Sequence, residues 1–405
     1  PFCCSAAGGG VDFDALADLL ELYVKQVPIS QRAIACSQTG ARWQDEELIG
    51  ILRGMRVHGG VRANYEEHGG ELLTDRCTGR NGAMTLEELS TALALLRDEL
   101  AHGWVEKFES REALRAAGYD AVLISPVFLV DKTADGQPKR KAKLDLVRGV
   151  LCDGEFGEEK AVAKRWVDSM SKSTSKGAED SLNAHSPMTD NGAHVKPDGV
   201  PFTAGLVMAL KAANPSRQVE MAVTDVKSAY RHLPIAKADR RLFVFRFLDP
   251  DKPIPQYVLD GEQPRDEDCC FWVRNTLPFG WRGSVDCYVR FGKALKALHL
   301  WDGCPLLSQH VPAGMHDFAL YIDDGASIAV EGWGAVAQAR YIELLELVGV
   351  QVSLDKLEGV STKTRFLGVL YDTVREELRL TPERVASLLK RCRELRAKSY
   401  CTAEE

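Results

Sequence analysis

The sharpest hydrophobic pattern in the chain is a pair of short apolar runs around Asp324-Gly325. The first run covers residues 318–322 and the second covers residues 326–330. Two strand-like runs on either side of an Asp-Gly pair are the strongest short-range signal for a β-hairpin. The pattern therefore predicts a hairpin over residues 317–331, with the neighbouring carboxylates of Asp323 and Asp324 at its tip.

Helical periodicity predicts helices elsewhere along the chain. Thr85 and Glu88 have the spacing of a capping box, and Thr381-Pro382 puts proline at a favoured first helical position. The predicted helices cover residues 11–24, 85–103, 284–298, 335–348 and the segment from residue 381 onward.

Apolar runs rich in β-branched and aromatic residues predict the remaining strands. These lie at residues 121–130, 219–226, 242–248, 271–277 and 350–354. The second half of the chain contains the order strand, helix, hairpin, helix, strand, as in a ferredoxin-like split βαβ unit. Right-handed crossovers in such a unit would place Asp225, at the end of its strand, beside the hairpin tip. The expected fold class is α+β.

Composition describes an ordinary globular protein of about two to three domains. The 405 residues are 45% hydrophobic and 27% charged, and the net charge of −7 argues mildly against nucleic-acid binding. However, residues 132–148 and 384–398 hold six basic side chains each. These stretches are either stripes that neutralise phosphates or solvated faces, and composition alone favours solvated faces.

Cysteine usage and the lack of a long apolar run bear on location. Eleven cysteines occur without the paired spacing of a zinc site, which predicts reduced thiols in an intracellular protein of the cytoplasm or nucleus. No apolar run approaches the roughly 18 residues that a membrane span needs, and no signal peptide is evident. Because the sequence begins with Pro1 rather than Met, we expect a fragment or a processed piece of a longer product.

Three carboxylates, those of Asp225, Asp323 and Asp324, stand at the ends of predicted strands. Aspartates are also common in solvated turns, so the hairpin pair alone is weak evidence for a site. Three converging carboxylates would form an oxygen-ligand site suited to Mg²⁺, with Mn²⁺ as an alternative. Two such ions are the usual device for in-line phosphoryl transfer, so these residues are the predicted catalytic centre.

Four motifs between residues 220 and 370 resemble those of reverse transcriptases and follow the order found in that family. They are Asp225 with Tyr230 as the first aspartate motif, Leu277-Pro278-Phe279-Gly280-Trp281-Arg282-Gly283-Ser284 as LPxGxxxS, Tyr321-Ile322-Asp323-Asp324 as the YxDD box, and Phe366-Leu367-Gly368-Val369 as the FLG primer-grip element. Residues 225–235 are most similar to the LTR and DIRS-like retrotransposons. The resemblance implies an RNA-directed DNA polymerase, a nucleotidyltransferase that adds dNTPs to a primer 3′-hydroxyl on an RNA or DNA template.

The resemblance also implies a right-hand polymerase fold with a ferredoxin-like palm. Residues 105–218 would form the fingers, residues 219–380 the palm with its hairpin and primer grip, and residues 381–405 the start of a thumb or connection helix. Residues 1–104 form a mostly helical N-terminal region whose role the sequence does not indicate.

The fingers are expected to contain a hairpin whose second strand is basic, at residues 139–146. Lys132 and Lys141 are the implied contacts to the nucleotide triphosphate, with Arg140 close enough in register to compete. The polar residues 149–199 look like an insertion in the fingers. This insertion would carry a short helix around residues 160–170 and, at 181–183, a remnant of the family's Asn-containing segment.

The resemblance assigns roles to the residues of the catalytic centre. Asp225 and Asp323 would bridge two Mg²⁺ ions, with Asp324 as a weaker ligand and the backbone carbonyl of Val226 completing one metal shell. Tyr230 would lie under the sugar and leave no room for a 2′-hydroxyl, which would select deoxynucleotides. Ordinary packing is the alternative for Tyr230, and only its spacing from Asp225 favours the role in selection.

Four further residues have implied roles, and two of them, Lys356 and Trp281, also have a plain structural alternative. Gly280, which follows Phe279, would allow a templating or incoming base to approach the backbone closely. Lys356 stands where the family often keeps a lysine near the leaving pyrophosphate, and an ordinary surface lysine explains it equally well. Trp281 would either stack on nucleic acid or fill the core.

Two other functions compete with this interpretation. A decayed or domesticated copy would bind nucleic acid without polymerising, as the acidic charge and the insertion suggest, although Asp225, Asp323 and Asp324 are all present. An RNA-templated RNA polymerase would share the aspartates, but the aromatic Tyr230 and the FLG element disfavour it. The oligomeric state does not follow from the sequence.

Overall fold

The computed structural model describes residues 11–26, 53–67, 70–131, 142–145, 150–153, 164–168, 170, 181–183, 185 and 197–397. Helices and mixed sheets are both present, so the predicted α+β class is confirmed. The chain divides into two compact units, which are described separately. The first comprises Pro1–Asp14, Gly50–His194 and Ser228–Tyr288, and the second comprises Ala15–Ile49, Val195–Lys227 and Val289–Glu405.

The division predicted at residue 104 falls inside the first unit, and the predicted range 219–380 contributes to both units. The described α-helices are α1 (Phe13–Gln26), α2 (residues 53–58), α3 (Leu86–Ala101), α4 (Arg111–Ala116), α5 (Val200–Ala213), α6 (Gln256–Leu259), α7 (Arg282–Leu300), α8 (Gly334–Leu347) and α9 (Pro382–Ala397). Short 3₁₀ turns occur at Ala229–His232, Lys237–Leu242, Asp266–Asp268 and Leu354–Lys356.

The strands of the first unit form one five-stranded sheet and two two-stranded sheets. In the sheet, β1 (Arg76–Cys77), β3 (Leu123–Ile124), β9 (Val244–Phe247), β10 (Cys270–Arg274) and β2 (Val105–Phe108) lie side by side in that order. The two-stranded sheets pair β4 (Val127–Asp131) with β7 (Lys164–Asp168), and β5 (Ala142–Asp145) with β6 (Val150–Asp153).

Helix α3 begins at the predicted capping box. The Thr85 hydroxyl accepts a hydrogen bond from the Glu88 backbone N–H, and the Glu88 carboxylate accepts one from the Thr85 backbone N–H. Its buried face, which includes Leu93, packs into a core cluster with Phe245 and Trp272 of the five-stranded sheet. The N-terminal region therefore supplies part of the core of the first unit.

Two predictions about the fingers are wrong. Strand β4 pairs with β7 and not with the basic segment, whose described residues, 142–145, pair with β6 instead. The short helix predicted around residues 160–170 is the strand β7 where the structure describes it, because Trp166 and Val167 sit in a paired, partly buried strand. Trp166 is only 3% exposed and packs against Phe247, so these residues belong to the core.

The second unit contains a four-stranded antiparallel sheet. Its order is β11 (His316–Tyr321), β12 (Asp324–Val330), β8 (Val219–Asp225) and β13 (Glu358–Ser361). Along the chain, β9 and β10 of the first unit and then α7 lie between β8 and the β11–β12 hairpin, and α8 lies between the hairpin and β13. The predicted hairpin is thereby confirmed.

The last strand of this sheet is not where the sequence predicted it. Val352 makes only an isolated bridge to Val226, and the chain then turns through Leu354–Lys356 before residues 358–361 pair with β8. The prediction relied on apolar runs, and it failed here because β13 is an edge strand with little buried surface and therefore has no such run. The strands predicted at 242–248 and 271–277 exist as β9 and β10, in the sheet of the first unit.

A three-stranded meander and helix α9 complete the second unit. The meander consists of β14 (Lys363–Phe366), β15 (Val369–Asp372) and β16 (Glu377–Leu380). Leu367 and Gly368 form the first turn with positive φ angles of 52° and 71°, a conformation that suits Gly368 far better than Leu367. Helix α9 starts at Pro382, as predicted, and most of its residues are exposed.

We expect Trp166→Ala to lower the free energy of unfolding by about 3–5 kcal/mol, because it would leave a cavity in the core of the first unit. Urea denaturation of the full chain measures this change. Leu73→Ala, at a side chain that is 79% exposed, is the control and should stay within about 0.5 kcal/mol of the wild type. A loss equally small for Trp166→Ala would place residues 164–168 outside the core.

Candidate active site

Strand pairing brings two of the three predicted catalytic carboxylates together. In the register of β12 with β8, Asp324 lies directly opposite Asp225, and the two side chains hydrogen-bond. Directly opposed residues on antiparallel strands have Cα atoms only about 4.5–5.5 Å apart. Asp323 lies in the turn between β11 and β12, next to this pair. The second unit therefore gathers Asp225, Asp323 and Asp324 at one end of its sheet.

The turn of the hairpin differs from the prediction. Tyr321 pairs with Asp324, so the turn residues are Ile322 and Asp323, and Asp324-Gly325 begins β12. Gly325 is needed for packing: a Cβ atom there would lie 2.6 Å from the Phe318 ring. The Asp-Gly signal found the hairpin but misplaced its turn.

Ile322 carries backbone strain at the tip of the hairpin. Its φ angle is +55°, in the left-handed region that β-branched residues rarely adopt. Such a conformation costs on the order of 1–3 kcal/mol and persists only where the surroundings enforce it. One enforcing contact is the hydrogen bond that the Val226 N–H donates to the Asp323 carbonyl, at 3.0 Å.

Asp198 holds the edge strand of the hairpin just before the turn. The Leu320 N–H donates to Asp198 Oδ2 at 3.0 Å, and the Asp198 N–H donates to the Leu320 carbonyl at 2.9 Å. Lys296 Nζ neutralises the same carboxylate at 2.7 Å. Sequence reasoning missed Asp198, because an Asp-Gly in a polar stretch is typical of an ordinary loop.

The electrostatics of the three carboxylates favour a bound cation. Asp225 is only 6% exposed, and Lys356 Nζ lies 2.9 Å from its Oδ2. Burial, and then the nearby charges of Asp323 and Asp225, raise the pKa of Asp324 to about 7. The ammonium of Lys356 lowers the Asp324 pKa and supplies positive charge that a metal ion would otherwise bring.

This donor set fits divalent metal ions. Carboxylate oxygens are the ligands that Mg²⁺ prefers, and a cation would offset the charges of Asp323 and Asp225 that, after burial, raise the pKa of Asp324. Asp225, Asp323 and Asp324 are the residues that would hold the metal.

A second acidic group in the described part of the chain is an ion-pair network. Ligand atoms of Glu109, Asp249 and Cys270 lie within 4.8 Å of one another. Lys107 Nζ already lies 2.9 Å from Asp249 and 3.0 Å from Glu109, and Lys252 also pairs with Glu109. Burial raises the pKa of the Cys270 thiol to about 11, which disfavours the thiolate that a metal would need.

Tyr230 lies in an aromatic cluster of the first unit. Its ring centroid is 4.9 Å from that of Phe279 and 5.7 Å from that of Tyr288, and the residue is 8% exposed. Trp281, 2% exposed, packs edge-on against Phe243 at 5.1 Å. Trp281 therefore fills the core, which decides between its two predicted roles.

The backbone around Gly280 is held in place by contacts with Asp168 and Asn183. Gly280 has a φ of +105°, and a Cβ atom there would lie 1.8 Å from the Asp168 carbonyl oxygen. Asn183 Nδ2 donates to the Gly280 carbonyl at 2.9 Å, and Asn183 Oδ1 accepts from the Arg282 N–H at 2.8 Å. Only glycine fits this position, and Asn183 contacts the middle motif directly.

The predicted site residues fall into three groups. Asp225, Val226, Asp323, Asp324 and Lys356 lie together in the second unit. Within the first unit, Tyr230 and Phe279 are in ring contact and Gly280 follows Phe279. Lys132 and Lys141 lie outside the described residues.

Comparison with known proteins finds similarity in solved structures. No protein-family model and no curated protein matches the chain. A foamy viral protease-reverse transcriptase dRH in complex with double-stranded DNA is similar over 96% of this chain, with 15% identity and a TM-score of 0.49. A foamy viral protease-reverse transcriptase in complex with double-stranded DNA is similar over 96%, with 15% identity and a TM-score of 0.47. The chain spans 50% and 60% of their lengths, and so loose a likeness assigns it no activity. Among the described helices, none has the length and apolar character of a membrane span.

The raised pKa of Asp324 predicts a pH-dependent stability in the absence of metal. The folded chain keeps a proton up to about pH 7 that the unfolded chain releases near the ordinary value of 3.8, so this group lowers the free energy of unfolding as pH rises between these values. Asp324→Asn removes the effect. We expect the variant to gain on the order of 1–2 kcal/mol over the wild type at pH 8 and almost nothing at pH 4.

Urea denaturation in EDTA measures this difference across the pH range. Glu346→Gln, at an exposed carboxylate of α8, is the control and should show no such trend. A difference between Asp324→Asn and the wild type that stays constant from pH 4 to pH 8 would contradict the electrostatic account.

Proposed function

We propose that this chain is an RNA-directed DNA polymerase, the reverse transcriptase of an LTR or DIRS-like retrotransposon. It would add dNTPs to a primer 3′-hydroxyl on an RNA or DNA template. The observation that carries the proposal is the pairing of Asp225 with Asp324 across β8 and β12, with Asp323 in the adjoining turn. The four motifs in family order support it, because each supplies a part that such a polymerase needs.

The proposed chemistry is nucleotidyl transfer assisted by two Mg²⁺ ions. When bound, the ions stabilise charge on the attacking and leaving oxygens of an in-line displacement. Asp225 and Asp323 would hold both ions, with Asp324 as the weaker ligand and the Val226 carbonyl completing one shell. Asp324 would lose its proton as the cation binds, because the cation would offset the burial and the neighbouring charges that raise its pKa.

Lys356 has a proposed role beside the carboxylates. Its ammonium pairs with Asp225, with Nζ 2.9 Å from Oδ2. A metal at Asp225 would take over that pairing and leave the Lys356 ammonium available to the leaving pyrophosphate. A lysine is suited to this role, since it binds phosphate oxygens as a flexible point charge.

Nucleotide selection is assigned to the aromatic cluster of the first unit. The Tyr230 ring is braced by Phe279 and Tyr288, so it has little freedom to move aside. A braced ring under the sugar would clash with a 2′-hydroxyl and favour deoxynucleotides. Gly280 would offer its backbone to the base. We propose that Lys132 and Lys141 contact the triphosphate of the incoming nucleotide.

Nucleic-acid binding without catalysis is the second candidate, and helix α9 favours it. Its described residues include Arg384, Lys390, Arg391, Arg393 and Arg396, and most of the helix is exposed. A basic helix of this kind can follow a duplex backbone whether or not the chain polymerises. We propose α9 as the beginning of the thumb, with the primer grip in the preceding turn at Leu367-Gly368.

Primer extension on poly(rA)/oligo(dT) with Mg²⁺ tests the proposed function. We expect the wild-type chain to incorporate dTTP, and Asp323→Asn and Asp324→Asn to lose at least about 100-fold in rate. Glu346→Gln, on the exposed side of α8, should retain the wild-type rate.

The absence of incorporation by the wild type, together with salt-sensitive duplex binding, would support the binding protein instead. Incorporation that both aspartate variants retain would remove Asp323 and Asp324 from the catalytic centre.

A further inference from the structure

Four charged side chains are buried together in the first unit. They come from four separate segments: Glu99 from α3, Asp168 from β7, Arg231 from the 3₁₀ turn after Tyr230, and Arg274 from β10. Their exposed fractions are 7%, 1%, 6% and 0% in that order. Charged residues are almost never buried this completely unless they are paired.

The four side chains form one continuous ion-pair network. Arg274 binds Asp168 through two parallel hydrogen bonds, from Nε and Nη2, each 3.1 Å long. The two carboxylate oxygens of Glu99 accept from different arginines, one from Arg231 and the other from Arg274. Two positive and two negative charges balance, so the network is neutral as a whole.

Arg231 connects this network to the Tyr230 side of the aromatic cluster. It follows Tyr230 directly, and its Nη1 donates at 3.1 Å to the carbonyl of Leu277, the first residue of the middle motif. Its guanidinium carbon lies 6.0 Å from the Phe279 ring centroid. A guanidinium held by Glu99 therefore fixes the turn that carries Tyr230.

Asp168 connects the network to the Phe279-Gly280 backbone. The Asp168 N–H donates to the Phe279 carbonyl at 2.9 Å, and the Asp168 carbonyl oxygen lies against Gly280. The Asp168 carboxylate is held by Arg274. Glu99, through Arg231, thus anchors the Tyr230 ring that would select the sugar. Asp168 anchors the Phe279-Gly280 backbone that would meet the base.

Stability alone is a weak explanation for such a network. Taking charges out of water costs several kcal/mol per ion, and apolar residues of similar volume often stabilise a core as well or better. Directional bonds do what apolar packing cannot, because they hold each attached segment in one place. Nucleotide selection depends on such placement, since a displacement of about 1 Å can cost about 100-fold in rate.

We propose that Glu99 and Asp168 are positioning residues that set Tyr230, Phe279 and Gly280 for selection of the incoming nucleotide. This inference rests on the proposed polymerase activity. It gives α3, in the N-terminal region whose role the sequence left open, a part in nucleotide selection. Neither carboxylate contacts substrate, and both act through the arginines.

A double variant that keeps the buried charges balanced can separate an effect on nucleotide selection from an effect on folding. Glu99→Gln leaves one buried arginine charge uncompensated, so it should destabilise the fold. The double variant Glu99→Gln/Arg231→Gln restores neutrality and leaves the Arg274–Asp168 pair intact. Glu87→Gln, on the exposed side of the same helix, is the matched control.

The test measures KM and kcat for dTTP in primer extension, the preference for dTTP over UTP, and the urea midpoint for each variant. We expect the double variant to recover most of the stability that Glu99→Gln loses. It should still show a KM for dTTP about tenfold above the wild type and a preference for dTTP reduced by about tenfold. Glu87→Gln should match the wild type in every measurement.

Three results would overturn the inference. If KM and sugar preference return to wild-type values together with stability, the network serves folding alone. If Glu99→Gln folds and selects normally, Glu99 has no positioning role. If the wild type incorporates no dTTP, the proposed function itself fails and the inference falls with it, which is distinct from failure in an active enzyme.

Discussion

The antiparallel pairing of β8 with β12 is the constraint on which the proposed site depends. Its register puts Asp324 opposite Asp225, on strands whose other residues form the core of the second unit. Because side chains alternate along a strand, a shift of one residue would turn one carboxylate away and bring core residues such as Ile328 to the wrong face. The same apolar burial that fixes the sheet therefore fixes the spacing of the carboxylates.

The site stores unfavourable free energy that the surrounding structure offsets. Ile322 is held in a left-handed conformation, and burial together with neighbouring charges raises the pKa of Asp324 to about 7. Hydrogen bonds from Val226 and to Asp198 keep the hairpin tip in place despite both costs. Strain and like charges at one place are typical of functional sites, where a ligand relieves what the fold tolerates.

The sequence predicted those features that depend on local pattern. The hairpin, the capping box at Thr85 and the helix from Pro382 follow from residues a few positions apart, and each is present. The sequence did not predict which strands and side chains pair when they are far apart along the chain. The segment at residues 164–168 became a strand because β4 supplied a partner, and the Glu99–Arg231 pair joins residues 132 positions apart. Buried charges such as Asp198 also look like surface charges in a sequence, since only the fold determines their burial.

Metal binding at the three carboxylates is the central claim, and Mn²⁺ binding to the full chain, followed by electron paramagnetic resonance at pH 8, tests it most directly. We predict that the wild type binds Mn²⁺ and that Asp225→Asn weakens binding at least about tenfold, because a carboxylate that would hold the ion is lost. Lys356→Met should tighten binding, because it removes the ammonium that competes for Asp225. Equal Mn²⁺ affinity in the wild type and Asp225→Asn would contradict the account.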